Sequence, residues 1–478
     1  MQTRSKASVA LALAAAIVTV AAVYLAVAYA MDGPGWDLIA HYFNGRSLSD
    51  PAFYSCMLNT QCNQYNQNPG FYFESYRAPV AGFVIAFINL FVGSTATIEV
   101  YIAVLLLFYV IAIIYLSRKI EISGLLVLAL LVSPYLLSFT ILPGSEEMVS
   151  LIFLLFAVGL LARRSPWFGL LLGLATLGKY PTLILVPMLL LLIRPKKILY
   201  ASLLFVAAVL PWLALNQLFF GNPFFSYEQS MAISHSNAGP FYLSLPAYSV
   251  LLSYAAIFAV VGLVAVYPKT MKVLKDALKF IGKASSVRAL AADDRLFLYV
   301  ILLVLVVLSL AATLYIGPYY DQFTQTRYGY LLADSTALLV AVCLNDIRKR
   351  TKVNLPVVAA ALSLLILLYS LYTSVYAGSQ FGAYSNLYKN AAAELDAHGY
   401  GDCKIITNDW IYVMWQNVSA FSQFDPNSTS ARYPILEFHN YTSLTNMTKL
   451  RDTVANATPV YSSKNFSILL PQNYKCYT

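Results

Sequence analysis

The sequence predicts a mainly α, polytopic membrane protein with about eleven transmembrane helices and a small extracytoplasmic α/β domain at its C-terminal end. Three observations predict it. First, 59% of the 478 residues are hydrophobic and only 11% are charged, against about 25% charged in an average soluble domain. Second, mean hydropathy is +0.66, and the apolar residues gather in runs long enough to cross most of a bilayer. Third, Lys and Arg abut those runs in clusters. Together these exclude a soluble multidomain enzyme and a disordered chain. The formal charge of +9 is therefore read first as topology, and only then as a nucleic-acid footprint.

The apolar runs lie at 8–30, 98–117, 122–142, 146–162, 198–219, 246–267, 296–316, 330–346 and 355–376. The first is longer than the apolar core of a signal peptide, so an uncleaved span is expected, although Ala28-Tyr29-Ala30 resembles a cleavage site. Two regions are ambiguous. Residues 78–117 hold two apolar stretches broken at Gly93-Ser94-Thr95. Residues 167–193 are interrupted by Gly178-Lys179-Tyr180-Pro181.

Basic residues set the parity. They stand at Arg4/Lys6, Arg118/Lys119, Arg163/Arg164, Arg194/Lys196/Lys197, between Lys269 and Arg295, and at Arg348/Lys349/Arg350/Lys352. Placing all of them inside requires that 98–117 cross once and that 167–193 cross twice. The stretch 79–93 then lies along, or dips into, the outer leaflet. In the alternative, 79–93 crosses and 167–193 is a single span, which puts Arg118/Lys119 and Arg163/Arg164 outside. The favoured inner loops hold 20 of the 31 basic and 5 of the 22 acidic residues, a net +15 that leaves −6 for the rest. The excess is a topological signal, and no nucleic acid is expected as a partner. Within 268–295, Met271, Leu274, Leu278 and Ile281 share one helical face opposite Lys272, Lys275 and Lys279, as in an amphipathic helix lying on anionic lipid.

The expected division is a transmembrane module over 1–376 and an extracytoplasmic domain over 377–478. The tail carries Asn-x-Ser/Thr sequons at Asn417, Asn427, Asn440, Asn446, Asn456 and Asn465. Their concentration there points to a surface seen by an N-glycosylation system, in an archaeal envelope or an ER-like lumen. Cys56 and Cys62 share the first outer loop, and Cys403 and Cys476 bracket the tail, so two disulfides are expected in an oxidising space. Residues 386–398 read as a helix with Leu387, Ala391, Leu395 and His398 on one face. Residues 404–407 read as a strand, with no Gly-rich nucleotide motif after it.

The outward loops concentrate charged residues. The first loop, 31–77, has Asp32, Asp37, His41, Glu74 and Arg77. Glu146/Glu147, Lys179, Glu228/His235 and Asp321/Arg327 follow in later loops. Charges at a bilayer edge are costly unless paired or facing a wet cavity. Plain roles are open for several: Glu146/Glu147 as a helix start favoured by the dipole, Lys179 snorkelling to headgroups, and Arg327 pairing with Asp321.

Trp36-Asp37-Leu38-Ile39-Ala40-His41-Tyr42 with Gly45-Arg46-Ser47-Leu48, then Tyr76-Arg77-Ala78-Pro79 running to Phe91-Val92-Gly93, stand in the first third. The Gly169–Lys179 run and Gln325-Thr326-Arg327-Tyr328 come later. In this order they resemble the outer-loop motifs of GT-C glycosyltransferases. These are multi-span enzymes that use polyprenyl-phosphate sugars, such as protein O-mannosyltransferases and the lipid A aminoarabinose transferase. The resemblance covers about 8–346. It departs at Asp37-Leu38, where the mannosyltransferases have Asp-Glu, and the first loop lacks Asp-x-Asp. No WWDYG-like motif appears.

The resemblance implies a GT-C-like fold and transfer of a hexose, mannose-like, from a polyprenyl (dolichyl) phosphate donor to a lipid-linked glycan or protein acceptor outside the membrane. Asp37 is the expected general base. Arg77, Lys179 and Arg327 are expected to hold the donor phosphate. Asp32, His41, Glu74, Glu146 and Tyr328 are candidates for sugar, acceptor or divalent-metal contacts, and metal need is open. The aromatics Trp410, Tyr412 and Trp415 are candidates for stacking on an acceptor glycan. The rival classes are a transporter or flippase and a non-catalytic assembly subunit. A transporter should show repeat symmetry and ionisable groups near the mid-membrane, whereas these charges lie at the outer edge.

Overall fold

The computed structural model describes residues 36–58, 73–92, 97–121, 145–193, 195–236, 294–316 and 386–407. It also describes 413–414, 416, 420–421, 433–439, 457–472 and 474–476, with 335, 338–339, 341–342 and 345 as helical positions. The runs 8–30, 122–142, 246–267 and 355–376, residues 268–293 of the expected amphipathic segment, and Asp32, Cys62, Arg327, Tyr328, Trp410, Tyr412 and Trp415 lie outside them. So do the sequons at Asn417, Asn427, Asn440, Asn446 and Asn456.

The described membrane module is helical. In chain order it contains α1 (Trp36–Leu48), α2 (Pro51–Leu58), α3 (Pro79–Val92), α4 (Thr97–Ile120) and α5 (Ser145–Ala162). There follow α6 (Phe168–Gly178), a 3-10 turn (Tyr180–Leu185), α7 (Val186–Leu191), α8 (Pro195–Phe220), α9 (Phe225–Ser236) and α10 (Asp294–Ile316). Two of these, α4 and α8, are long and apolar enough to cross a membrane. On α8, Leu199, Leu203, Val206 and Leu210 are exposed, as expected of a lipid-facing stripe. α3 has 14 residues, about 21 Å of helix, which is short of the ~30 Å hydrocarbon core.

The most extensive helix contacts join α5 to α6, α6 to α8, α1 to α3 and α4 to α5. One continuous core runs through them, with Tyr101 and Tyr109 of α4 and Phe168 of α6 fully buried. α1 and α3 approach closely because Gly45 has no side chain. A Cβ there would stand 2.5 Å from Ile85 Cγ2 and 2.9 Å from the Gly82 carbonyl. α1 lies within residues 31–77 and α3 begins just after them, so this contact packs α1 against the helix that follows Arg77. Cys56 of α2 is disulfide-bonded.

The 167–193 segment breaks where the sequence indicates. α6 ends at Gly178, Lys179 is extended, and Pro181 stands at the start of the 3-10 turn. Proline lacks an N–H and cannot continue the α-helical ladder.

The tail forms a helix, α11 (386–397), on a mixed five-stranded sheet. Its strands are β1 (Ile405–Thr407), β2 (Ala420–Phe421), β3 (Ile435–Phe438), β4 (Thr458–Ser462) and β5 (Phe466–Leu470), in the order β2-β1-β3-β5-β4. β1 is parallel to β2 and β3, while β5 is antiparallel to β3 and β4. Tyr388, Ala391 and Leu395 bury against Leu436, Phe438 and Ile468. His398 departs from the expected helical face: it is exposed, because the chain leaves the helix there and Gly399 takes φ +79°. A disulfide joins Cys403 to Cys476. Met414 packs against both the tail core and the membrane-helix core, so the two parts touch. In the β4–β5 hairpin Asn465 is exposed, while Ser467, two residues on, is buried and bonded to His439 Nε2 (2.8 Å) and Ser462 Oγ (2.9 Å).

Candidate active site

The site begins with α1. Asp37, His41 and Asn44 fall at i, i+4 and i+7, which places them on one face of a 3.6-residue helix. All three are buried. A buried polar stripe is costly unless it is partnered, and each member meets a different element.

Asn44 holds the Glu74–Arg77 turn. Its Nδ2 donates to the Glu74 carbonyl (3.2 Å), and the Glu74 N–H donates to its Oδ1 (2.7 Å). The turn is closed by the Arg77 N–H donating to the Glu74 carbonyl (3.2 Å). Pro79 then starts α3, a position where its missing N–H costs nothing. The turn aims the Arg77 guanidinium back at α1, where Nη1 donates to Asp37 Oδ1 at 2.7 Å. Its Nε donates to Glu74 Oε2. One guanidinium therefore bridges two carboxylates, a use suited to its planar fork of donors.

A second cluster stands beside the first. Lys179 pairs with Glu146 Oε1 and, at 2.8 Å, with Glu147 Oε1. Gly178 makes this possible, because a Cβ there would lie 2.8 Å from the Ser150 backbone nitrogen. The end of α6 thus lies directly on the first turns of α5. Ser150 Oγ and Thr182 Oγ1, 2.7 Å apart, tie the two segments again.

His41 links the clusters. Its Nε2 lies 3.5 Å from Glu146 Oε2, and its side chain is 0% exposed. Neither ring nitrogen has a hydrogen-bond partner among the described residues. Burial pushes the imidazole below its ordinary value of 6.5; Glu146 opposes this, and Arg77 and Lys179 reinforce it.

Tyr180 joins the two cationic elements. It follows Lys179, its hydroxyl donates to the Arg77 carbonyl (3.4 Å), and it accepts from Trp212 Nε1 of α8 (3.1 Å).

The structure thus brings together Asp37, His41, Glu74, Arg77, Glu146 and Lys179 from four separate segments. It adds Asn44, Glu147, Tyr180 and Trp212, none of which the sequence singled out as site residues. Asn44 carried a readable signal, its seven-residue offset from Asp37. Tyr180 and Trp212 carried none. Asp32, Arg327 and Tyr328 lie outside the described residues. With His41 neutral, the four carboxylates and two cations of the cluster carry a formal −2. Among the described residues no group of three His, Cys, Asp or Glu side chains is arranged to hold a metal ion.

No family profile matches the chain, and no curated protein matches it. A solved structure does: ArnT from Cupriavidus metallidurans bound to undecaprenyl phosphate. It matches with a TM-score of 0.56 at 10% identity, over 95% of this chain and 97% of that chain. The chain shares its fold with ArnT. At this identity the likeness speaks for the fold alone.

Proposed function

We propose that the protein is a GT-C-type membrane glycosyltransferase that moves a hexose from a polyprenyl-phosphate donor to a lipid-linked glycan or protein acceptor on the extracytoplasmic face. The observation that carries the reading is the buried Asp37–Arg77–Glu74 and Glu146–Lys179–Glu147 constellation. It sits in a fold shared with a protein whose solved structure holds undecaprenyl phosphate.

Asp37 takes the proton of the acceptor hydroxyl as that oxygen attacks the anomeric carbon. The transition state is oxocarbenium-like, and the leaving phosphate gains negative charge as the sugar separates. Arg77 and Lys179 stand ready to meet that charge. In the structure both cations already hold carboxylates, so the donor phosphate replaces a carboxylate partner on each. Arg327 supplies further positive charge against the formal −2 of the cluster. Direct attack by the acceptor oxygen, with Asp37 as base and no glycosyl-enzyme intermediate, gives inversion at the anomeric carbon.

The experiment incubates purified protein with polyprenyl-phosphate mannose or glucose and a lipid-linked acceptor, comparing wild type with Asp37→Asn. Removal of a general base costs typically 10²–10⁴-fold in rate. Equal transfer by both proteins would sink the base assignment. Absence of transfer from either donor lipid would favour a non-catalytic assembly subunit.

A further inference from the structure

We propose that His41 is a sugar-contacting residue, whose Nδ1 accepts a hydrogen bond from a hydroxyl of the hexose on the donor lipid. The inference rests on the transferase reading and adds to it the group that distinguishes a sugar-bearing lipid from bare lipid phosphate.

His41 lies one helical turn beyond Asp37 on the same face of α1, the spacing at which side chains are neighbours. It is fully buried, and neither ring nitrogen has a hydrogen-bond partner among the described residues. A buried polar group without a partner costs about 1–3 kcal/mol, and a Leu or Phe would fill the same space without that cost. The nearby Glu146 carboxylate gives Nε2 a structural role, but nothing in the structure accounts for Nδ1. Every other polar group on this stripe is bonded: Asp37 to Arg77, and Asn44 to the Glu74 backbone.

The neighbours fix what kind of ligand fits. The Nε2 edge faces the Glu146 carboxylate at 3.5 Å, which favours the tautomer with its proton on Nε2. Nδ1 is then a lone-pair acceptor. A phosphate oxygen offers it nothing, since both would be acceptors. A sugar hydroxyl donates to it well. Arg77 and Lys179, which would take the phosphate, stand on the partner carboxylates of the same cluster, so sugar and phosphate are read by different groups. Glu146 has a positioning role here, orienting the ring and holding Lys179.

The test measures binding of polyprenyl-phosphate hexose and of sugarless polyprenyl phosphate to the full-length protein in detergent. Wild type is expected to prefer the sugar-bearing lipid. His41→Phe loses about 3- to 10-fold of that preference, the worth of one neutral hydrogen bond, read as the ratio of the two affinities on the same variant. His41→Gln, which keeps an acceptor oxygen, retains most of it. A series of donors with each hydroxyl replaced by hydrogen or fluorine reads the same bond without any mutation. At one position both replacements weaken wild-type binding equally, because fluorine cannot donate, and neither weakens His41→Phe further.

Undiminished discrimination by His41→Phe overturns the proposal, as does a fluoro donor that binds like the hydroxyl at every position. Equal binding of the two lipids by wild type overturns it too. If wild type binds neither lipid, the transferase reading fails first and the inference fails with it. Should His41→Phe not fold, the deoxy and fluoro series on wild type decides the matter.

Discussion

Replacing Lys179 by Met removes a cation paired with both Glu147 and Glu146. At the 2.8 Å separation from Glu147 and an effective dielectric of about 20, the lost attraction is about 6 kcal/mol. Part of that returns as the carboxylates shift, hydrate or take up protons. Breaking a buried pair from one side typically costs about 3–5 kcal/mol, because the remaining charge stays buried without compensation. Lys179→Met should therefore lower unfolding stability in detergent by about that amount. Most of the penalty comes from stranded carboxylates, so adding Glu147→Gln should recover a large part of it. A double-mutant cycle read by thermal or denaturant unfolding makes the comparison. The reasoning is refuted if Lys179→Met stays within about 1 kcal/mol of wild type, or if Glu147→Gln restores nothing.

Three further outcomes are expected. Asn44→Leu leaves the Glu74 N–H unsatisfied and takes one of two donors from the Glu74 carbonyl, costs about 1–3 kcal/mol, and lowers transfer more than Asn44→Asp, which keeps the acceptor; unfolding and transfer assays on the same preparations check this. For His41, the lowered imidazole contributes stability that is full above 6.5 and is lost as pH falls below 6.5 toward its folded value. The stability difference between wild type and His41→Phe should therefore shift against wild type on acidification, as measured by melting against pH. Removing the Cys403–Cys476 bridge, which spans 73 residues, costs the tail about 4 kcal/mol in the loop-entropy account, seen as faster proteolysis of residues 386–476 in the double Ser variant.

The helices α4, α5, α8 and α10 were legible because long apolar runs and their basic flanks are one-dimensional signals. The break at Lys179 was legible too, since Gly178 and Pro181 act on the local backbone. What the sequence did not show is pairing. Asp37 meets Arg77 across 40 residues, and Lys179 meets Glu146 across 33. Such contacts depend on how helices approach, and the approach is set by a missing side chain at Gly45 or Gly178. α1 stood out only through its likeness to a known motif, because a helix buried nearly all round shows little amphipathic contrast. His398 was misplaced for the opposite reason. The periodicity is real up to Leu395, but the helix ends with a left-handed Gly399 and the 6→1 closure of the Tyr400 N–H onto the Leu395 carbonyl.

The β4–β5 hairpin bears on the order of events during biogenesis. The sequon at Asn465 needs its Ser467 hydroxyl, yet in the folded sheet that hydroxyl is buried and held by His439 and Ser462. A glycan on Asn465, if the cell adds one, has to be installed before β5 pairs with its neighbours. Occupancy at that asparagine would then record how quickly the domain closes relative to the glycosylation machinery, and slowing closure would raise it.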